Sequence, residues 1–206
     1  MADLLEVTSA DRSTKRTTTY YRAAAIERYA KNKWEVSENV FTKAALEAAS
    51  LLTYEIGAVV ARLTVTIRAD PESKYVVGVL SPKLSTDAEK HRLIFTRGKG
   101  GAGWDLGPRG RSVMQNLKVT HKGTACKAGV EGQRVVIEAD GREGKRTLKL
   151  SQDGETQPVY FTNIPVPFRL GVCICWEDHD AVEIESLEIV EEPQMDGGTI
   201  PVEMDE

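Results

Sequence analysis

The sequence predicts an all-β protein: a two-sheet antiparallel β-sandwich with one short helix near the N-terminus. Two observations carry this. From Trp34 onward the chain is dense in short segments that alternate apolar and polar residues, and turn dipeptides punctuate them at regular intervals. Between Gly132 and Val190 five such segments follow one another in about sixty residues, leaving no room for the crossover helices of a parallel sheet.

Taken in order, residues 1–18 are polar, rich in Ser and Thr, and without apolar period after Leu5, which reads as a flexible arm. Residues 19–33 change character. Thr19 is a capping type, Tyr21–Ala25 are mostly good helix formers, and Ile26, Tyr29 and Ala30 make one stripe with Glu27 four residues before Lys31, so a helix is expected over Tyr20–Asn32. Residues 34–190 form the sandwich. Trp34–Ser37 reads as its first strand, whereas Thr42–Leu52 has both strong helix propensity and a place in the strand pattern, and this stretch stays open between the two.

Arg62–Ala69 has the cleanest alternation, with Leu63, Val65 and Ile67 inward and Arg62, Thr64, Thr66 and Arg68 toward water. Tyr75–Leu80 is an unbroken apolar run, as in a strand covered on both faces, and Arg92–Thr96 is another strand after a polar loop. Asp140-Gly141 and Asp153-Gly154 supply the positive-φ pairs of tight hairpins, and Gln157–Thr162, Phe168–Trp176 and Ala181–Val190 complete the meander. In the last of these, Val182 and Ile184 are even-numbered and Leu187 and Ile189 odd. A bulge near Glu185-Ser186 lets all four face the core. Residues 191–206 are acidic and broken by Pro and Gly, a tail or linker.

These strands resemble the SPRY domain family. The positions that carry the likeness are Gly132, Val135, Ile137, Asp140, Leu148, Leu150, Asp153-Gly154, Pro158, Phe161, Pro165 and Val172, with Gly103-Trp104-Asp105-Leu106 similar to the family's glycine-tryptophan strand and Tyr54–Ile67 and Tyr75–Leu80 similar to its core pair. The resemblance spans roughly Trp34 to Val190. It implies a β-sandwich interaction module that binds a protein through its loops, without naming the partner.

Chemistry-bearing patterns are sparse. Gly98-Lys99-Gly100-Gly101-Ala102-Gly103 matches a dinucleotide fingerprint in spacing, but the residues after it, with two glycines and a proline, cannot supply the helix whose N-terminus would face a pyrophosphate. The three histidines are scattered and no nucleophile elbow is present. Asp178-His179-Asp180 is a metal-ligand set on one turn without a fourth member. No cofactor, no metal and no catalytic activity are therefore expected. The net charge of −4 disfavours nucleic acid, and no apolar run is long enough for a membrane helix. An odd count of three cysteines fits a reduced, intracellular protein.

What remains are loops at the sandwich ends, where aromatic and arginine side chains act as binding anchors. The candidates are Trp104, Arg109, Arg111, Trp176, Asp178 and His179, in two groups, Lys99–Arg111 and Trp176–Asp180, expected at one end. The reading is a non-catalytic module for a protein segment, an adaptor or a subunit of a larger assembly. Its alternative is a lectin-like sandwich for glycan.

Overall fold

The computed structural model describes residues 5–10, 16–21, 26–29, 34–44, 49–68, 74–82, 100–107, 113–115, 118–121, 126–175 and 179–191. These form seventeen strands in two antiparallel sheets, and among the described residues there is no helix. Because every ladder joins strands in opposite directions, short connections suffice and the two apolar inner faces can be pressed together.

The larger sheet runs in the order β1 (Leu5–Ala10), β2 (Arg16–Tyr21), β17 (Ala181–Glu191), β7 (Val60–Arg68), β12 (Arg134–Asp140), β13 (Thr147–Gln152) and β14 (Glu155–Thr156). A hairpin of β4 (Trp34–Ser37) and β5 (Val40–Lys43) pairs with the start of β17, and β15 (Phe161–Thr162) pairs with β13. The second sheet runs β11 (Lys118–His121), β10 (Val113–Gln115), β9 (Gly101–Asp105), β8 (Lys74–Leu80), β16 (Arg169–Cys175), β6 (Ala49–Thr53) and β3 (Ile26–Tyr29). The core between them is built by Leu63, Val65 and Ile67 of β7, Val135 and Ile137 of β12, Leu148 and Leu150 of β13, and Val77, Val79, Trp104 and Val172 opposite.

Several expectations hold in detail. The shift from even to odd in β17 is a bulge: Ile184 pairs with Val65 and Ser186 with Thr64, leaving Glu185 as the extra residue. Val182, Ile184 and Leu187 are buried and Ile189 packs against the core. Asp153 and Gly154 have φ of 51° and 81°, the paired positive values of a two-residue hairpin between Gln152 and Glu155. All of Tyr75–Leu80 is buried. Its outward neighbours Leu52, Ser50 and Cys173 are buried too, so the second sheet is covered on both faces. Across that outer face Gly171 pairs with Gly78 and Gly78 with Gly103. A Cβ at Gly78 would lie 2.2 Å from the Ala102 carbonyl oxygen, so the strands approach only because no side chain is there.

Other expectations are corrected. The arm read over residues 1–18 contains β1 and the start of β2, and Thr18 is buried. The helix read over Tyr20–Asn32 ends β2 at Tyr21 and continues as β3 from Ile26 to Tyr29; its other residues lie outside those described. Helix propensity loses here because β2 finds a partner in β17 and β3 one in β6, and tertiary pairing outweighs a few tenths of a kcal/mol per residue. Lys43 ends β5 and Ala49–Thr53 is β6, so the described part of Thr42–Leu52 is strand and connection. Arg92–Thr96 falls outside the described residues.

Asp140-Gly141 is not a two-residue turn. Asp140 pairs with Thr147, and residues 141–146 bridge them, with positive φ at Gly144 (73°) and Arg146 (43°). Gly141 is needed for space instead, since a Cβ there would stand 2.7 Å from Phe168 Cε1 and 2.9 Å from the Gly57 carbonyl oxygen. Gln157–Thr162 is strand only at Phe161-Thr162. Thr64 and Thr66 are not wet: they are 3% and 8% exposed, beneath ion pairs of Arg62 with Glu138 and Glu188, Arg68 with Glu183, and Arg134 with Glu185.

Candidate functional site

Strand registers decide which loops share an end of the sandwich. Val76 of β8 pairs with Asp105, the last residue of β9, and Lys74 pairs with Cys175, the last of β16. The chain therefore leaves β9 toward Arg109 and Arg111, and β16 toward Trp176 and Asp178, at the same end. Leu80 pairs with Gly101, and the Ser81 N–H donates to the Gly100 carbonyl at 3.0 Å. Gly100 thus sits at the opposite end, and the expected group Lys99–Arg111 is divided by the length of β9.

Trp104 is not a loop anchor. It is fully buried on β9, one residue before the strand's end, its ring 4.8 Å from that of Phe161 at 64°, and its indole N–H meets no acceptor. In a strand whose neighbours pack on both sides, the largest side chain fills the core. Arg109, Arg111, Trp176 and Asp178 lie outside the described residues. His179 is exposed and has a φ of 66°, a left-handed conformation uncommon for any residue but glycine. Its main chain is fixed: the His179 N–H donates to the Lys43 carbonyl and the Lys43 N–H to the Asp180 carbonyl, both at 2.7 Å. This reciprocal pair clamps the end of β5 onto the start of β17. Below it the Tyr75 hydroxyl donates to the Ala181 carbonyl at 3.3 Å, and burial, with the nearby Asp180 charge, raises its pKa far enough that it remains a neutral donor.

Beside His179's end lies a collar that sequence reading passed over. The Asp105 carboxylate accepts the Gly107 N–H at 3.0 Å, and the Gly129 N–H donates to the Leu106 carbonyl at 2.6 Å. Gln152, fully buried at an inward position of β13, acts like a piece of backbone. Its Oε1 accepts the Lys127 N–H, and its Nε2 donates to the Lys127 carbonyl and to Gln133 Oε1, each at 3.0 Å. Gln133 reaches Asp153, whose Oδ1 accepts the Arg134 N–H at 3.0 Å. Residues 126–133 are thereby stapled to the sheet ends while Val130 and Glu131 stay exposed and Lys127 pairs with Glu155. The visible signal was Gln152 itself, a polar residue where the Leu148, Leu150 alternation calls for an apolar one.

The array can hold a ligand through a rigid rim with donors, acceptors and both charges. Among the described residues no group of three or more His, Cys, Asp or Glu is placed to hold a metal. Among the described residues of the glycine run, Gly101–Gly103 belong to strand β9 and open no helix.

No protein-family model matches the sequence, and no curated protein matches it. Solved structures do match the fold. The SPRY domain of human HERC1 superposes with a TM-score of 0.53 at 13% identity, over 80% of this chain and 97% of that one. A second human SPRY domain gives 0.55 at 7% identity, over 79% and 97%. The fold is SPRY-like. Peanut lectin, in a structure with a nine-residue peptide, also superposes, at 0.56 and 11% identity over 85% and 97%. SPRY-like and lectin sandwiches thus share the two-sheet architecture seen here, and the expected fold class holds.

Proposed function

We propose that this chain is a non-catalytic, SPRY-like protein-interaction module, an adaptor or a subunit of a larger assembly in a reducing compartment. It recognises a protein segment with the sandwich end where β9 and β16 finish. The observation that carries this reading is the collar: side-chain bonds from Asp105, Gln152, Gln133 and Asp153, together with main-chain bonds at Gly129 and His179, hold residues 105–107, 126–133, 153 and 179, so a surface is preorganised before any partner arrives. SPRY-like and lectin-like sandwiches serve as binding scaffolds, which supports the reading.

β9 and β16 finish at this end, the candidates Arg109, Arg111, Trp176 and Asp178 follow those strands in sequence, and His179 stands on the rim. Arginine and aromatic side chains at such a place give two or three anchors of about 2 kcal/mol each, enough to dominate a micromolar complex of about −8 kcal/mol. Trp104 is excluded from the set. The test is affinity capture with mass spectrometry, comparing the parent with Arg109→Ala, Arg111→Ala and His179→Ala. Partners should be lost with unchanged melting temperature, whereas Val77→Ala should chiefly lower stability. Partners retained by all three loop variants would refute the site, and a glycan-array signal in place of a protein partner would favour the lectin-like reading.

A further inference from the structure

At the other end of the sandwich the connection from β12 to β13 is cationic in a chain of net charge −4. Arg142 is taken up by Asp140, through its main-chain N–H at 3.1 Å and its guanidinium at 2.9 and 2.6 Å. Lys145 and Arg146 on the same turn, and Lys149 on the outer face of β13, are exposed and form no ion pair among the described residues. The acids nearby are Asp140, which also feels the Lys145 charge, Glu143 in the turn, Glu55 in the β6 to β7 connection, and Glu138, which stands opposite Lys149 across the ladder but is paired with Arg62. Exposed Tyr160 immediately precedes the Phe161–Leu148 pair, beside Lys149.

The same end is where the last strand stops. Asp140 pairs with Val60 and Val60 with Val190, so Glu191 leaves β17 two strands from the basic turn, about 10 Å at the usual strand spacing. Residues 192–206 then carry Glu192, Asp196, Glu203, Asp205 and Glu206 with no Lys or Arg, and include Ile200, Val202 and Met204. Fifteen residues can extend to roughly 50 Å, several times the distance required. A tether this short holds its charges at millimolar effective concentration.

We infer that the acidic segment 192–206 docks in cis on the cations Lys145, Arg146 and Lys149 of this turn and strand, with Tyr160 as its apolar contact. The docked segment occupies the surface an acidic stretch of another protein would use, so the chain screens its own basic end. This proposal is independent of the partner site at the opposite end.

The test uses the full chain with a nitroxide on Thr199→Cys, read by amide signals in solution; Cys126 and Cys173 are buried, and identically treated parent chain is the control. At low salt the amides of Gly144–Lys149 should lose intensity while those of Gly132 and Asp153–Glu155 keep it. The loss should disappear in Lys145→Glu/Arg146→Glu/Lys149→Glu. It should also disappear in the unsubstituted background in roughly 1 M salt, where the screening length falls to about 3 Å. Intensity unchanged at Gly144–Lys149, a loss confined to Arg16–Thr19 beside Glu191, or a loss that survives both charge reversal and salt would each overturn the proposal.

Discussion

Gln152→Leu removes the amide around which the collar is organised while keeping side-chain volume close to that of the parent, so the cost is one of polar pairing rather than of a cavity. Gln133 is 3% exposed, and losing the Gln152 donor leaves its Oε1 without a partner, at roughly 1–3 kcal/mol for a buried acceptor. The Lys127 N–H and carbonyl lose partners as well, but Lys127 is exposed and water recovers much of that, leaving about 1 kcal/mol. The expected loss is about 2–4 kcal/mol, or on the order of 5–15 °C in melting temperature for a domain of this size. Chemical denaturation gives the free energy, and hydrogen exchange should show faster opening confined to Lys127–Gln133. Gln133→Leu/Gln152→Leu provides the internal check: with both partners apolar no orphan remains, so the double variant should be less destabilised than the sum of the singles. A loss under about 1 kcal/mol, or strict additivity, would show that the amides are not a coupled network and that the rim is held by something else.

Gly141→Ala should destabilise despite its ordinary backbone, because the new methyl meets Phe168 and the Gly57 carbonyl at under 3 Å; a neutral melting temperature would mean that the β6 to β7 connection can move aside. Trp104→Ala should cost about 3–5 kcal/mol and Trp104→Phe clearly less, since phenylalanine keeps a ring against Phe161 and removes an indole N–H that has no acceptor; equal losses would contradict this. The Arg142 guanidinium holds the Asp140 carboxyl below the usual carboxylate range, and Arg68 does the same to Glu183. Folded values below the unfolded ones stabilise above about pH 4 and lose that contribution as pH falls through the folded values, so Asp140→Asn should flatten the acid limb of a stability profile, and an unchanged limb would exclude the pair as a cause.

The sheet interior was legible because its signals are local. The inward set Leu63, Val65 and Ile67, the Asp153-Gly154 turn and the parity change in β17 each depend on residues a few positions apart, and the structure reproduces them. What failed depends on distant partners. Nothing near Arg16–Tyr21 tells the chain that β17 is waiting about 170 positions later, so an Ala-rich neighbourhood reads as helix when it is followed by an edge strand. The site divides in the same way. His179 is visible as a turn residue and stands exposed, whereas Trp104 is misplaced because an aromatic after glycines can belong to a loop or a strand, and only register decides. The collar turns on the Gln152 and Gln133 amides, which carry no charge and match no motif, joined to the Asp153 carboxylate.

The bulge at Glu185 is also a border between neighbours. On one side of it Ala181–Glu183 pairs with the β4–β5 hairpin, and on the other Leu187–Glu191 pairs with the β1–β2 hairpin, along the same edge of β17. Ile184 is still held by Asn39 of the β4–β5 turn, but Glu185 pairs with neither hairpin, so the two contact β17 through separate sets of hydrogen bonds. Cooperativity in this half of the sandwich is thus partitioned: loss of β1–β2 would bare a short stretch of strand edge while β4–β5, tied down by the Lys43, His179 and Asp180 main chain, still guards the rest.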